Sequence, residues 1–501
     1  MNEGSLVLAI VQGTTSTRAI LFDQAGRARA SAQVPLTQIY PAPGLVEHDA
    51  EEIWQSVLHS CREALRGCDA DFVAAVGIAN QRETTVVWDR ATGKPLANAI
   101  VWQDRRTAEL CAELQREGWG AHVAETTGLV MDPYFSATKL AWLLVNVPGL
   151  RARAEAGEVC FGTIDSYLLF RLTGGKLHAT DATNAARTEL YDIKRGQWDE
   201  RLLARLEVPS IMLPEVRDSQ DDFGLTQPEL FGAHAPICGI AGDQQAAGYG
   251  QACFRPGMVK ATFGTGCFVL ANTGTEKLAS ATRMLSTIFH QIEGKRTFAL
   301  EGAIFMAGAT VQWLRDRLGL IGSAAESEAL AAAADPNSGV YLVPAFQGLG
   351  APFWDANARG AILGLSRAAG KADLAAAALE AVAFQTRDLL TAMRLDMDRS
   401  GIPEASALRA DGGMTANLWF MQRLADILGR RVEIAATQES TALGAAYHAG
   451  QAIGFFGSAA ELEKARLPAQ AFEPKMGEDE RESRYSGWLG AVARVRSQSA
   501  C

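Results

Sequence analysis

A short apolar run, a polar turn of glycine and threonine, and a second apolar run occur in that order twice, about 250 residues apart. In the first copy residues 6–11 lead, Gln12-Gly13-Thr14-Thr15 turn and residues 19–23 return. In the second, residues 259–263 are followed by Gly264-Thr265-Gly266-Cys267 and residues 268–272. Apolar runs of this length closed by glycine turns predict strands, and two runs so close together predict a hairpin. Two such hairpins in one chain point to a duplicated α/β core with a boundary between Gly250 and Gly257. The halves are then 1–250 and 251–501, each long enough to bury a core of its own.

The remaining pattern is also α/β. Residues 73–79 and 85–88 form another pair of strands, and residues 50–66 and 138–147 have helical spacing. In the second half, Leu374, Ala378, Val382, Leu389 and Met393 recur at helical period over residues 371–397. A strand over 407–410 runs into Asp411-Gly412-Gly413, followed by a helix over 416–428, a strand over 432–435 and a helix over 441–450. Strand, glycine turn and helix in that order bring a backbone against a nucleotide.

Charge narrows the partners. Lys and Arg number 47 against 57 Asp and Glu, a net charge of -10, so no global positive field exists for nucleic acid or anionic lipid. No apolar stretch reaches the roughly 18 residues a spanning helix needs. The eight cysteines (Cys61, Cys68, Cys111, Cys160, Cys238, Cys253, Cys267 and Cys501) lack the spacing of a zinc site or a C-x-x-C pair. They predict free thiols in a reducing compartment, and so a cytoplasmic protein.

Three segments carry phosphate chemistry. Residues 12–18 combine a glycine for close backbone approach, the hydroxyls of Thr14, Thr15 and Ser16, and the Arg18 guanidinium. Taken alone, they read equally well as a hairpin turn with a polar tip. Together with Gly264-Thr265-Gly266 and Asp411-Gly412-Gly413, they suit a cleft that holds a triphosphate from both sides. For a small polyol, Arg82 supplies a donor fork, Glu83 an acceptor, Tyr134 a hydroxyl, and Trp102 and Phe268 apolar faces. A solvated charge pair and plain core aromatics are the alternative readings of those residues. Asp243 stands just past an apolar run, either as a carboxylate pointing into a cleft or as the N-cap of the next helix.

Eight ordered motifs resemble the FGGY carbohydrate kinases, and among them the glycerol kinases. They are Gln12-Gly13-Thr14-Thr15-Ser16, Asn80-Gln81-Arg82-Glu83-Thr84-Thr85, Trp102-Gln103-Asp104-Arg105-Arg106-Thr107, Asp132-Pro133-Tyr134-Phe135-Ser136, Gly239-Ile240-Ala241-Gly242-Asp243-Gln244-Gln245-Ala246, Gly264-Thr265-Gly266-Cys267-Phe268, Phe346-Gln347-Gly348-Leu349-Gly350-Ala351-Pro352 and Asp411-Gly412-Gly413. The resemblance implies two actin-like domains, each with a mixed five-stranded sheet flanked by helices, closing over ATP and a polyol. It implies phosphorylation of glycerol to sn-glycerol 3-phosphate, with Asp243 as general base. It assigns Arg82, Glu83, Trp102, Tyr134, Asp243, Gln244 and Phe268 to the polyol. Thr14, Thr15, Ser16, Arg18, Thr265, Gly308, Gln312, Gly413 and Asn417 go to the nucleotide. Mg²⁺ is the implied metal, held through water by Asp243, and a homodimer or homotetramer is the implied assembly.

One position departs from the family pattern. Val11 stands where the family carries an aspartate before Gln-Gly-Thr-Thr, which predicts a weakened Mg²⁺ site and reduced turnover. Two alternatives follow: a kinase-like sensor that binds glycerol and nucleotide but turns over little, and an FGGY kinase for another small polyol or a ketopentose. Residues 227–236 match neither the fructose 1,6-bisphosphate nor the phosphotransferase control pattern of relatives, so neither control is expected.

Overall fold

The computed structural model describes residues 4–355 and 357–497, which leaves Cys501 outside the described residues. The first sheet is built from β1 (Leu6–Gln12), β2 (Ser16–Phe22), β3 (Ala28–Pro35), β4 (Val73–Asn80) and β5 (Ile237–Gly242), in the order β5-β4-β1-β2-β3. β1 pairs antiparallel with β2 and parallel with β4, and β4 pairs parallel with β5. β1 lies inside the sheet with both faces covered, which is why its sequence is a continuous apolar run rather than an alternation. β3 forms an edge and is largely exposed.

The second sheet repeats this plan. β6 (Val259–Phe263) pairs antiparallel with β7 (Cys267–Gly274), which is followed by β8 (Leu285–Ile292) and β9 (Lys295–Ile304). β10 (Ala407–Asp411), β11 (Arg431–Ile434) and β12 (Gln470–Phe472) complete the order β8-β9-β7-β6-β10-β11-β12. Strands β9-β7-β6-β10-β11 reproduce the pairing of the first sheet, and β8 and β12 extend its two edges antiparallel. The expectation of five strands therefore describes the common core, while the sheet itself is seven wide. Short antiparallel additions left no periodic signature that set them apart in the sequence.

A second difference concerns residues 85–88. The strand there, Val86–Asp89, leaves the first sheet and pairs with Val159–Gly162. The chain swings away at Glu83, whose φ of 61° is left-handed for a non-glycine residue.

Helices cover the sheets. Asp49 caps α1 (Ala50–Ala64) by accepting from the Glu51 N–H. α2 (Ala182–Ala185) is a single turn, α3 (Asp243–Gly250) leaves the end of β5, and α4 (Gly308–Asp316) follows β9. α5 (Lys371–Asp398) is the long helix of the second core, α6 (Leu418–Leu428) follows the glycine turn after β10, and α7 is Ser440–Ala452. Although it lies late in sequence, α7 packs on the first sheet: Ala442, Leu443, Ala445, Ala446 and Ala449 share an apolar cluster with Val7, Ala9, Ala75, Ala79 and Ala241. The backbones nearly touch there. A Cβ on Gly444 would lie 1.8 Å from the Ala246 carbonyl oxygen, and one on Gly77 2.1 Å from that of Ala445, so only glycine fits at either place.

Candidate active site

Both hairpin turns close as the glycines dictate. The Gly13 N–H donates to the Ser16 carbonyl at 2.9 Å, and the Gly264 N–H to that of Gly266 at 2.9 Å. These bonds leave Thr15 and Thr265 exposed at the two tips. The Thr265 carbonyl accepts from the N–H groups of Ala307 and Ala309, and the Gly264 carbonyl from that of Gly308, all at 3.0 Å. The second turn is thus fused to the start of α4, where a Cβ on Gly308 would come within 2.6 Å of the Gly264 oxygen. Met414 reaches the same point, which places Gly413 beside Gly308, and a Cβ on Gly413 would meet nothing within 4 Å. Gln312, one turn into α4, is exposed.

Three other residues assigned to the nucleotide are engaged elsewhere. Arg18 donates to both oxygens of Glu439 at 3.0 and 2.9 Å, and Ser16 accepts from Gln33. Asn417 caps α6 by accepting from the Phe420 N–H at 2.8 Å and donates to Ser327 at 3.2 Å. Asn417 breaks the predicted helix over 416–428 into a 3-10 turn, Gly413–Ala416, and α6.

The residues assigned to the polyol converge. Trp102 meets Tyr134 edge-on at 5.5 Å between centroids and Phe268 at 6.2 Å, and the Arg82 guanidinium lies 6.0 Å from the Phe268 ring. The Trp102 indole N–H donates to Thr14 Oγ1 at 2.9 Å, joining this box to the first phosphate turn. Arg82 Nε lies 3.4 Å from Asp243 Oδ1 and 3.8 Å from Glu83 Oε1. It crosses directly over Gly242, where a Cβ would stand 2.6 Å from Arg82 Cδ.

Behind the box lie charged residues that sequence reasoning missed. Arg82 grips Glu301 with two N–H groups, at 2.5 and 2.8 Å. Arg187 binds Glu83 at 2.6 Å and Glu301 at 3.1 Å. Arg82, Glu83, Arg187 and Glu301 are all buried, at 3%, 2%, 0% and 0% exposure. Lys260, also fully buried, donates to Gln244 and to Thr262 Oγ1. A lysine and a glutamate inside the apolar strands β6 and β9 were the available signal, since buried charges occur paired.

This packing separates the carboxylates. Burial opposes ionisation of Glu301, but two guanidiniums outweigh it and hold the acid down to about 2. At Glu83 burial outweighs the pull of Arg187 and Arg82, the neighbouring Glu301 charge adds to it, and the acid is raised. Asp243 is raised by burial as well, against the pull of Arg82 and Lys260. It retains 29% side-chain exposure, whereas the glutamates behind it are sealed. Gly242, not Asp243, occupies the N-cap position of α3, and among the described residues Asp243 accepts a hydrogen bond from the Gln244 N–H, at 2.7 Å, beside its ion pair with Arg82. The exposed part of the carboxylate can accept from a hydroxyl. Val11 lies opposite Arg18 in the β1–β2 pair and packs against the apolar cluster under α7.

Comparison with known proteins gives the family. The N-terminal domain of the FGGY family of carbohydrate kinases matches residues 6–250, and its C-terminal domain residues 259–453. The chain is 57% identical to a glycerol kinase from Methylobacterium nodulans over 489 residues, 97% of each chain. It is 56% identical to one from Brucella ovis, over 97% of this chain and 98% of the relative. The crystal structure of Plasmodium falciparum glycerol kinase with ADP superposes with a TM-score of 0.92 at 36% identity, covering both chains fully. A gluconate kinase from Lactobacillus acidophilus, at 22% identity and a TM-score of 0.87 over 98% of this chain and 97% of that one, shares the fold. With both domains matched and near-full-length relatives above half identity, this chain belongs to the FGGY family of carbohydrate kinases.

Proposed function

We propose that this chain transfers the γ-phosphoryl group of ATP to glycerol, forming sn-glycerol 3-phosphate and ADP. The observation that carries the reading is the small box of Trp102, Tyr134 and Phe268 closed by Arg82, with the Asp243 carboxylate at its open side. Two ring contacts and a guanidinium over the Phe268 ring bound the box, and each hydroxyl of a triol needs a paired group there. The names of the relatives at 56–57% identity support the same substrate.

In this reading Asp243 takes the proton of the terminal hydroxyl as that oxygen attacks the γ-phosphorus. The new P–O bond forms as the bond to the bridging oxygen breaks, and ADP departs with the electron pair. Arg82 and Glu83 orient the polyol. The Thr14–Thr15 and Thr265 turns, with Gly308 and Gly413, receive phosphates and nucleoside, and Gln312 borders them. Arg18 and Asn417 join them by exchanging their present partners. The halves 1–250 and 251–501 act as the two sides of the cleft, with α7 crossing back to the first. A cytoplasmic location fits the free thiols of the seven described cysteines, and a homodimer or homotetramer is the assembly proposed.

When bound, magnesium would supply charge neutralisation to the phosphates. Among the described residues no cluster of three His, Cys, Asp or Glu side chains could hold a metal. A hydrated Mg²⁺ needs only one or two carboxylates beside the phosphates, and Asp243 fits that minimal role; Val11 contributes nothing to it.

The test is glycerol 3-phosphate formation across a Mg²⁺ titration, with Val11→Asp alongside. The expected result is turnover by the parent, and a lower Mg²⁺ requirement in the variant. A silent parent with an active variant would make the chain a disabled relative. Silence in both folded proteins would overturn the substrate.

A further inference from the structure

Two adjacent glutamines at the start of α3 are used differently. Gln245 is satisfied at both ends: its Oε1 accepts from Arg82 Nη1 at 3.1 Å and its Nε2 donates to the Ile288 carbonyl at 3.1 Å. Gln244 is satisfied at one end. Its Oε1 accepts from the Lys260 ammonium, and among the described residues its amide nitrogen has no hydrogen-bond partner. Gln244 is 8% exposed and follows Asp243 directly, at the edge of the polyol box.

Donor chemistry decides which way the amide faces. An ammonium has three hydrogens to give and no lone pair to accept with, so its partner atom on Gln244 must be the carbonyl oxygen. Lys260 cannot swing away, because β6 holds it fully buried and Thr262 Oγ1 takes a second hydrogen at 2.9 Å. It also belongs to a strand of the second sheet, whereas Gln244 lies on α3, the helix that leaves the first. From this arrangement we infer that Lys260 is a positioning residue for polyol specificity: it locks the Gln244 amide so that the site presents an NH₂ donor, never an acceptor, to one substrate hydroxyl.

The inference rests on the polyol box proposed above. Buried donors left without an acceptor are costly, so an analogue lacking the paired hydroxyl is rejected. A glutamate at position 244 would keep the acceptor for Lys260 and remove the donor.

The experiment is calorimetric binding of glycerol, propane-1,2-diol and propane-1,3-diol at pH 8 without nucleotide. It compares the parent with Gln244→Glu, Lys260→Met and Lys260→Arg, each checked for folding by thermal melting. The expected result is glycerol binding weakened at least tenfold in Gln244→Glu, while one diol binds parent and variant alike. Lys260→Met is expected to weaken glycerol at least fivefold, and Lys260→Arg to restore it. Glycerol affinity within twofold of the parent in Gln244→Glu, or in folded Lys260→Met, overturns the inference. Equal weakening of all three ligands in Gln244→Glu also overturns it, because added charge would then be the cause. If Lys260→Met does not fold, Gln244→Glu decides alone. A parent that binds no glycerol defeats the polyol reading itself, a distinct result.

Discussion

The two sides of this site, proposed for the polyol and for the phosphates, are made of different material. The polyol box is backed by buried side chains, with Arg82 and Arg187 interleaved with Glu83 and Glu301. The phosphate side is made of backbone turns around Gly13, Gly264, Gly308 and Gly413, with the threonines at their exposed tips. Side-chain networks give a rigid, polar-specific surface but depend on every member, since one missing partner strands a buried charge. Backbone donors depend on conformation and tolerate the loss of any one side chain.

The contrast is most exposed at Asp243, which belongs to neither material. Asp243→Asn is expected to lower kcat by roughly 10²–10⁴-fold, the usual contribution of a general base, with little change in glycerol affinity. A kcat within tenfold of the parent would remove Asp243 from that role. Next is Arg82→Ala, which leaves Glu301 and Glu83 short of a cation. Breaking a buried pair costs about 3–5 kcal/mol of stability, and loss of the charged donor, worth about 1.5–3 kcal/mol, should weaken glycerol binding by calorimetry at least tenfold. Unchanged binding would mean the box is misplaced.

A third prediction concerns the polar network behind the polyol side. Asp165 and Asp181 are buried together; Asp165 accepts from Thr163 and Thr180, and Asp181 from Thr183, Asn184 and Ser219. Burial, then the neighbouring Asp181, raises the Asp165 acid from 3.8 to about 7. Between those values the folded protein holds a proton that the unfolded chain has released. The contribution to stability is therefore full below about 4 and is lost as pH rises to about 7, by at most about 1.4 kcal/mol per unit. Asp165→Asn should flatten that slope in denaturant titrations, and an unchanged slope would assign it to other groups. The smallest effects belong to the threonines. Thr265→Ala and Thr14→Val should each cost about 0.5–1.5 kcal/mol, the first in KM for ATP and the second in KM for glycerol through Trp102. A hundredfold loss in either would show that side chains, not backbone, hold the phosphates.

Local signals made much of this legible. The hairpins at Gly13 and Gly264 were visible because glycine and threonine punctuate apolar runs, and α5 because its period persists over 28 residues. The edge strands β8 and β12 were not recognised as parts of the second sheet, because the pairing of a strand is set by its neighbours and leaves no mark in its own residues. Lys260 and Glu301 stood out only as single charges inside apolar strands and Arg187 not at all, and none of the three showed which partner it would meet.

The amino-acid sequence by itself determined the duplicated α/β plan, the glycine turns and the family motifs, all of which are encoded within windows of a few to some tens of residues. Only the tertiary structure decided which charges meet. Arg82 finds Glu301 across 219 positions and Arg18 finds Glu439 across 421, while α7 returns from the second half to cover the first sheet. Such pairings follow from the closure of the chain around its cores, where burial penalises any charge without a partner. No local pattern records which partner that will be.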